Sequence, residues 1–301
     1  MNILIAATPE VAVPTLNWLL SSEHNLMGVI TQPDRPAGRG RQLKESAISQ
    51  WAKEKSIQCH KPESIPEIDQ LLVGSDLLLT IGYGVLLPAA LLTTPRHGCL
   101  NLHFSVLPRW RGAAPVQRAI EAGDSFSGVT VFQLDEGMDT GPIYSTKRFA
   151  LDSDITSDEL FNELADLGVE AVGESLAMIS EGRRPVPQSS EGVILAKKIS
   201  KQECEIDWSQ DARIVMQKVR AFTSVPGAWT RFRGEILKID SVSIRDQKFA
   251  ASTIHIVGKE LLVGTGSQAI SLGFVTPSGK SRMNALSWVN GARLSEGDHF
   301  G

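Results

Sequence analysis

Up to about residue 180, the chain alternates short apolar runs with longer amphipathic stretches. This alternation is typical of strand-helix-strand units around a mostly parallel sheet. The predicted strands cover residues 2–6, 26–31, 77–81 and 99–103. We therefore predict a Rossmann-like α/β domain in the N-terminal part of the chain.

The first predicted helix follows the first strand directly. Thr8 is placed to cap it, Pro9 suits its first position, and apolar residues recur through Leu20. Pro14 is expected to kink this helix. A second, longer helix is predicted over residues 157–181, where leucine and valine recur at helical spacing.

Two alternating runs, residues 128–134 and 143–151, precede the long helix. They are predicted to be neighbouring strands, and the loop between them contains the segment Gly-Met-Asp-Thr-Gly-Pro at residues 137–142. The glycines and the proline predict a loop of defined shape rather than a continuous element.

The helical periodicity of the sequence ends after residue 182. Prolines and serines predict a linker over residues 183–200. Beyond it, a helix at 211–222 and short alternating segments separated by glycine predict a small, OB-like β-barrel. At 301 residues the chain is long enough for two domains. The predicted division is an α/β domain over 1–182, a linker over 183–200 and a β-barrel domain over 201–301.

Charge is distributed unevenly. Residues 1–189 carry 15 Lys and Arg against 23 Asp and Glu, whereas residues 190–301 carry 15 against 11. A basic region on a protein of net charge −4 is a candidate surface for a phosphate backbone, with a chance imbalance of solvated charges as the alternative.

No window approaches the roughly 18 uninterrupted apolar residues of a membrane span, and no basic leader precedes the first apolar run. We therefore expect a cytoplasmic protein without a membrane partner. The three cysteines lack metal or redox spacing, so reduced, inert thiols and no metal site are expected at Cys59, Cys99 and Cys204.

Asn101 and His103 lie two residues apart at the end of a predicted strand. Because side chains alternate along a strand, both are predicted to point to the same face. In open parallel sheets, ligands bind beyond the carboxyl ends of the strands, where this pair falls. Taken singly, a structural histidine and a turn asparagine are the alternatives.

Asp139 stands between two glycines, which allow its backbone to approach a ligand or another chain closely. It is predicted to accept a hydrogen bond from His103. An amide, an imidazole and a carboxylate arranged in this way can hold a carbonyl carbon and its developing oxyanion. Asp135 and Glu136 compete for the acid role, but they lack the glycine frame, and a solvated position is expected for both.

Residues 31–44 contain two prolines, two glycines and four cations after a strand, which predicts an exposed, positively charged loop. Its natural partner is a nucleic-acid backbone, and a solvated charge run is the alternative. No Gly-x-Gly-x-x-Gly follows the first strand, so a dinucleotide cofactor is not expected. Tyr83 and Gly84 follow another strand and are expected to line a pocket at the same sheet edge.

Together these residues resemble the folate-dependent formyltransferases, over nearly the whole chain. The superfamily's catalytic Asn, His and Asp fall here on Asn101, His103 and Asp139. The turn at residues 105–108 is similar to the family's folate-contacting Ser-Leu-Leu-Pro, with Val106 as a departure, and Ala7 stands where such enzymes often have glycine. The resemblance implies 10-formyltetrahydrofolate as formyl donor, no metal, and folate-binding residues Tyr83, Gly84, Ser105, Val106, Leu107, Pro108 and Asp135.

Within this superfamily, residues 32–43 resemble the insertion that tRNA-formylating members direct at the acceptor arm, with Arg39 at its most important position. The resemblance implies a monomer that formylates the α-amino group of initiator methionyl-tRNA. The implied tRNA-binding residues are Arg35, Arg39, Arg41, Lys44, Lys197 and Lys198. The trio alone does not separate the superfamily's members, so a folate-dependent formyltransferase acting on a sugar-nucleotide or another small amine is the alternative.

Overall fold

The computed structural model describes residues 1–37, 42–295 and 297–301. These residues form two compact units, each described separately below. The first unit comprises Met1–Gly112, Phe126–Ala150 and Phe161–Ala196, and the second comprises Ala113–Ser125, Leu151–Leu160 and Lys197–Gly301. Among the described residues, none of the helices has both the length and the apolarity that a membrane crossing requires.

The strands, in chain order, are β1 (Asn2–Ala7), β2 (Asn25–Ile30), β3 (Arg35–Ala37), β4 (Gln42–Lys44), β5 (Cys59–His60), β6 (Leu77–Ile81), β7 (Cys99–His103), β8 (Arg109–Gly112), β9 (Phe126–Gln133), β10 (Ile143–Ala150), β11 (Ile194–Ala196), β12 (Ala228–Phe232), β13 (Glu235–Arg245), β14 (Ile254–Val257), β15 (Glu260–Val263), β16 (Ala269–Pro277) and β17 (Met283–Asn284). The α-helices are α1 (Val13–Ser21), α2 (Ala47–Lys55), α3 (Ile65–Leu72), α4 (Ala89–Leu92), α5 (Pro115–Glu121), α6 (Ser157–Ser180), α7 (Ala212–Phe222) and α8 (Ala285–Ala292).

The first unit is built on a seven-stranded sheet of order β10-β9-β7-β6-β1-β2-β5. Neighbouring strands are parallel from β7 through β5, whereas β9 runs antiparallel to both β7 and β10. The central strands β1 and β6 are almost completely buried, as expected for a sheet covered on both faces. The predicted mostly parallel α/β architecture is confirmed.

The start of the first helix differs from the prediction. A 3₁₀ turn covers Glu10–Ala12, and α1 begins only at Val13. The Thr8 hydroxyl caps no helix and donates instead to the carbonyl of Tyr83 at 3.3 Å. Pro14 therefore lies in the first turn of α1, where its missing N–H costs no hydrogen bond, and it does not interrupt the helix.

One loop of the main sheet and one later segment of the chain shape the first unit around Asp139. β9 and β10 are the predicted neighbouring strands; they pair antiparallel and are joined by the loop that contains Asp139. Further along the chain, Val186 exchanges backbone hydrogen bonds with Ile143 at 2.7 and 2.8 Å. β11 then pairs in parallel with β8. The segment from residue 186 to residue 196 is thus held at one end by β10, which follows the Asp139 loop, and at the other end by β8.

The second unit contains a six-stranded sheet of order β12-β13-β16-β15-β14, with β17 paired to β16. All of these pairings are antiparallel. Isolated bridges join Phe300 to Phe232 of β12, and His299 to Thr253 beside β14, so the last residues connect the two edge strands. This arrangement agrees with the predicted small β-domain. The predicted helix over 211–222 is α7, and the Asp211 carboxylate accepts from the N–H of Arg213 at its N-terminus.

Candidate active site

The Asn101 side chain is fixed on the central sheet of the first unit. Thr80 of β6 pairs in register with Asn101 of β7. The threonine hydroxyl accepts a hydrogen bond from the Asn101 amide nitrogen at 2.8 Å and donates its own hydrogen to the Leu100 carbonyl at 3.0 Å. A side-chain amide carries two hydrogens, so the second N–H of Asn101 can serve a ligand.

His103, the last residue of β7, is only 7% exposed. Its ring packs edge-on against Phe132 with centroids 6.3 Å apart. Nε2 lies 2.9 Å from the carbonyl oxygen of Trp110. Since a carbonyl only accepts, Nε2 carries the hydrogen, and this contact fixes both the tautomer of the neutral ring and its orientation.

Asp139 lies beside this imidazole, as predicted, but its hydrogen bonds differ from the prediction. Oδ2 is 3.8 Å from Nδ1 of His103, which is too long for a direct hydrogen bond. The same oxygen accepts from the backbone N–H of Gly112 at 2.7 Å. The carboxylate is therefore positioned by the backbone and faces the histidine as a nearby negative charge.

The loop that carries Asp139 is shaped by several local constraints. Asp139 itself adopts a left-handed backbone conformation with φ of 54°. A Cβ at Gly141 would collide with the carbonyl oxygen of Gln133, so this close approach requires glycine. The exposed Asp135 carboxylate accepts from the N–H of Gly137 at 3.0 Å and from the Thr140 hydroxyl at 2.7 Å. In this structure Asp135 stabilises the loop.

Gln188 also contacts this loop, and Arg111 contacts Gln188; sequence reasoning missed both residues in this role. The Gln188 amide donates to the carbonyls of Asp139 and Gly141 at 2.8 and 2.7 Å. Its oxygen accepts from the Arg111 guanidinium at 2.6 and 3.1 Å. In the sequence, Arg111 is only part of an Arg-Trp-Arg segment that could bind a ribose-phosphate.

The turn at residues 105–108 is held by hydrogen bonds to Arg109 and to Thr130 of β9. The buried Ser105 hydroxyl donates to the Arg109 carbonyl at 2.7 Å, and the Thr130 hydroxyl donates to the Ser105 carbonyl at 2.7 Å. The peptide bond between Leu107 and Pro108 is cis, and Leu107 is buried. Val106 and Pro108 are the more exposed members of the turn.

Tyr83 and Gly84 follow β6 at the edge where β7 ends. The Tyr83 side chain is 4% exposed within an apolar cluster, and burial raises the pKa of its phenol to about 12. Its carbonyl accepts from the Gln32 side chain at 2.7 Å. Gly84 has a φ of 74°, which favours glycine. Tyr83 can therefore line a ligand site only with its backbone.

The cations implied in tRNA binding fall into three groups. Arg35 and Lys44 are exposed and lie opposite each other in the register of the antiparallel strands β3 and β4. Arg39 and Arg41 lie outside the described residues. The third group, Lys197 and Lys198, follows β11 directly, and both side chains are exposed.

The titratable side chains of the described residues include no cluster that could hold a metal ion. Burial raises the pKa of the Cys99 thiol to about 12 and that of Cys204 to about 11, so both remain protonated near neutral pH. The pKa of the partly exposed Cys59 is also raised by burial. These shifts agree with the expectation of unreactive thiols.

Comparison with known proteins identifies the family. Residues 1–176 match the formyl transferase family model, and residues 198–293 match the model of the formyl transferase C-terminal domain. The methionyl-tRNA formyltransferase of Streptomyces coelicolor is 42% identical over the full length of both chains. The chain belongs to the methionyl-tRNA formyltransferase family. The Neisseria meningitidis methionyl-tRNA formyltransferase is 39% identical over 99% of each chain.

Solved structures share the fold of this methionyl-tRNA formyltransferase family member. HypX from Aquifex aeolicus, in complex with tetrahydrofolic acid, matches 96% of the chain with a TM-score of 0.71 at 18% identity. The chain covers 47% of HypX. WlaRD, a sugar 3N-formyl transferase determined with dTDP and 5-N-formyl-THF, matches 93% of the chain and 99% of its own, with a TM-score of 0.69 at 17% identity.

Proposed function

We propose that this protein transfers the formyl group of 10-formyltetrahydrofolate to the free α-amino group of methionyl initiator tRNA. The full-length similarity to methionyl-tRNA formyltransferases carries this proposal. The 3.8 Å distance between Nδ1 of His103 and Oδ2 of Asp139, beside the strand that also holds Asn101, supports it independently. The products are N-formylmethionyl-tRNA and tetrahydrofolate.

In the proposed reaction, the amine nitrogen attacks the formyl carbon and forms a tetrahedral intermediate. The bond between that carbon and N10 of the folate then breaks, and the proton lost by the amine is returned to N10. No covalent bond to the protein is formed. An ordinary α-amino group has a pKa of roughly 7.7 to 8.0, so it needs no strong base, and positioning supplies much of the acceleration.

Asn101 and His103 are assigned to the oxyanion of this intermediate. Asn101 offers the amide hydrogen that Thr80 does not use. His103 is assigned to the formyl oxygen through its Nε2 hydrogen, which the Trp110 carbonyl accepts in this structure and would have to share with, or release to, the substrate. Such donors act strongly because they are oriented before charge develops.

Asp139 is assigned two tasks. Its carboxylate faces Nδ1 of His103 and stabilises the positive charge that the ring gains when Nδ1 takes up the proton lost by the attacking amine, before that proton is passed to N10. It also helps to remove the proton from the attacking nitrogen, directly or through a water molecule. The Gly112 N–H keeps the carboxylate in place for both tasks.

The remaining assignments follow the family resemblance. The turn at residues 105–108, the backbone of Tyr83 and Gly84, and Asp135 are proposed to contact folate. Residues 1–182 are proposed as the catalytic domain and residues 201–301 as a tRNA-binding domain, joined by residues 183–200. The exposed Lys197 and Lys198 are proposed to contact tRNA phosphates. We propose that the protein acts as a cytoplasmic monomer.

The acceptor is tested by direct comparison. The protein is incubated with 10-formyltetrahydrofolate and either methionyl initiator tRNA or an amino-sugar nucleotide, and blocking of each amine is measured. The proposal requires that methionyl initiator tRNA is formylated efficiently and that the amino-sugar nucleotide is not. Preferential formylation of the amino-sugar nucleotide would overturn the assigned acceptor and favour a small-amine formyltransferase.

A further inference from the structure

Gln188 is half-buried within an otherwise exposed stretch of chain. Its neighbours Val186, Pro187, Ser189 and Ser190 are all exposed. A long polar side chain loses conformational entropy when it is fixed in one rotamer. Specific contacts of the Gln188 side chain must offset this loss. The hydrogen bonds of the Gln188 side chain lead to segments around the catalytic trio.

Both amide hydrogens of Gln188 are used on the loop that carries Asp139. Nε2 donates to the Asp139 carbonyl at 2.8 Å and to the Gly141 carbonyl at 2.7 Å. These bonds hold the backbone on both sides of Thr140. They therefore restrain the left-handed conformation from which the Asp139 side chain projects towards His103.

The amide oxygen of Gln188 is used on a second segment of the site. It accepts from Nε and Nη2 of Arg111 at 3.1 and 2.6 Å. The residue before Arg111 is Trp110, whose carbonyl accepts from His103, and the residue after it is Gly112, whose N–H donates to Asp139. One glutamine thus connects the segment that orients the imidazole with the loop that carries the carboxylate.

The backbone around Gln188 is itself fixed on both sides. Val186 exchanges two backbone hydrogen bonds with Ile143, and β11 pairs with β8. Gln188 therefore lies two residues after a hydrogen-bonded residue, on a segment whose other end is held by β11. Glutamine also fits the chemistry, because it supplies two donors and an acceptor with two lone pairs from one planar group.

We infer that Gln188 is a positioning residue for formyl transfer, which acts by holding Asp139 in place. This inference rests on the proposed function. Glutamate at this position would keep the acceptor for Arg111 but lose both donors and place a carboxylate against two carbonyl oxygens. Misplacing a catalytic group by about 1 Å can lower turnover by about 100-fold.

The test is a double-mutant cycle under single-turnover conditions. Gln188→Ala and Gln188→Glu are each combined with Asp139→Asn, and Gln70→Ala, an exposed glutamine on α3, serves as the matched control. Thermal unfolding shows whether each variant is folded. If Gln188→Ala does not fold, the nearly isosteric Gln188→Glu provides the result. The single-turnover rate of each variant is measured, and KM is measured in separate steady-state assays.

We expect each Gln188 variant to lower the rate by about 10- to 100-fold with little change in KM for either substrate. When Asp139 has already been replaced by asparagine, each Gln188 substitution should lower the rate only slightly further, because the carboxylate that Gln188 positions is already gone. The inference would be overturned if the Gln188 substitutions lowered the rate by the same factor in the wild-type protein and in Asp139→Asn, or if they left the rate of the wild-type protein unchanged. If the wild-type protein formylates another amine, the proposed acceptor is wrong, but the cycle run with that amine still decides the role of Gln188.

Discussion

His103 donates its Nε2 hydrogen to the carbonyl oxygen of Trp110 at 2.9 Å. The nitrogen that faces Asp139 is therefore Nδ1, at 3.8 Å from Oδ2. The imidazole is oriented by a backbone carbonyl, and the carboxylate is oriented by the N–H of Gly112. Because both anchors are backbone groups two residues apart, the relative position of His103 and Asp139 depends on the conformation of β8.

Asp139→Asn removes the negative charge beside His103 while leaving an oxygen that can accept from Gly112. We expect turnover to fall by at least about 100-fold, because the charged partner of a catalytic histidine is neutralised. The measurement is the formyl-transfer rate at saturating substrates, with thermal unfolding as a check on the fold.

Glu136→Gln is the matched control for this prediction, since it removes a charge from an exposed side chain of the same loop. It should leave turnover unchanged. A small effect of Asp139→Asn, or an equal loss in both variants, would remove the Asp139 carboxylate from the mechanism.

Gly141→Ala tests the shape of the Asp139 loop. The added methyl group would collide with the Gln133 carbonyl, so we expect a loss of about 1–3 kcal/mol in the free energy of unfolding and a large loss of activity. Gly291→Ala in α8 meets no atom within 4 Å and should stabilise the protein by up to about 1 kcal/mol without changing activity. Thermal and urea denaturation measure both effects. Normal stability and activity of Gly141→Ala would contradict the close approach.

Lys197→Ala combined with Lys198→Ala tests the proposed phosphate contacts. We expect weaker tRNA binding. A plot of log K against log salt concentration should become shallower by about 0.7 to 0.9 for each phosphate that the variant no longer neutralises. Equilibrium binding over a series of salt concentrations measures this slope. Lys53→Ala, which alters an exposed lysine of α2, is the matched control and should leave the slope unchanged. An unchanged slope in the double variant would place these lysines outside the tRNA interface.

The strands of the parallel sheet could be predicted from sequence because buried strands form short apolar runs that alternate with helices. β6 and β7 have the predicted bounds, and β1 and β2 differ by one residue at one or both ends. The predicted start of α1 was wrong because Pro9 and Pro14 both fit the first turn of a helix. The sequence does not show which proline begins the helix. In the structure, Thr8 donates to the Tyr83 carbonyl instead of capping a helix that starts at Pro9.

Asn101, His103 and Asp139 could be proposed from sequence because their side chains carry recognisable chemistry at strand and loop ends. The groups that orient them could not. The Trp110 carbonyl and Gly112 N–H are backbone atoms with no sequence signature. Gln188 reaches the Asp139 loop across 49 and 47 residues, from a stretch whose prolines and serines indicate a linker.

His103 is the residue on which the proposed mechanism depends most directly. His103→Ala removes the ring that contacts Trp110 and faces Asp139, and the deciding measurement is its single-turnover rate of formyl transfer to methionyl initiator tRNA. We predict a loss of about 100- to 1,000-fold relative to the wild-type protein, with thermal unfolding showing an intact fold. A folded variant that transfers the formyl group at a rate near that of the wild type would contradict the proposed mechanism.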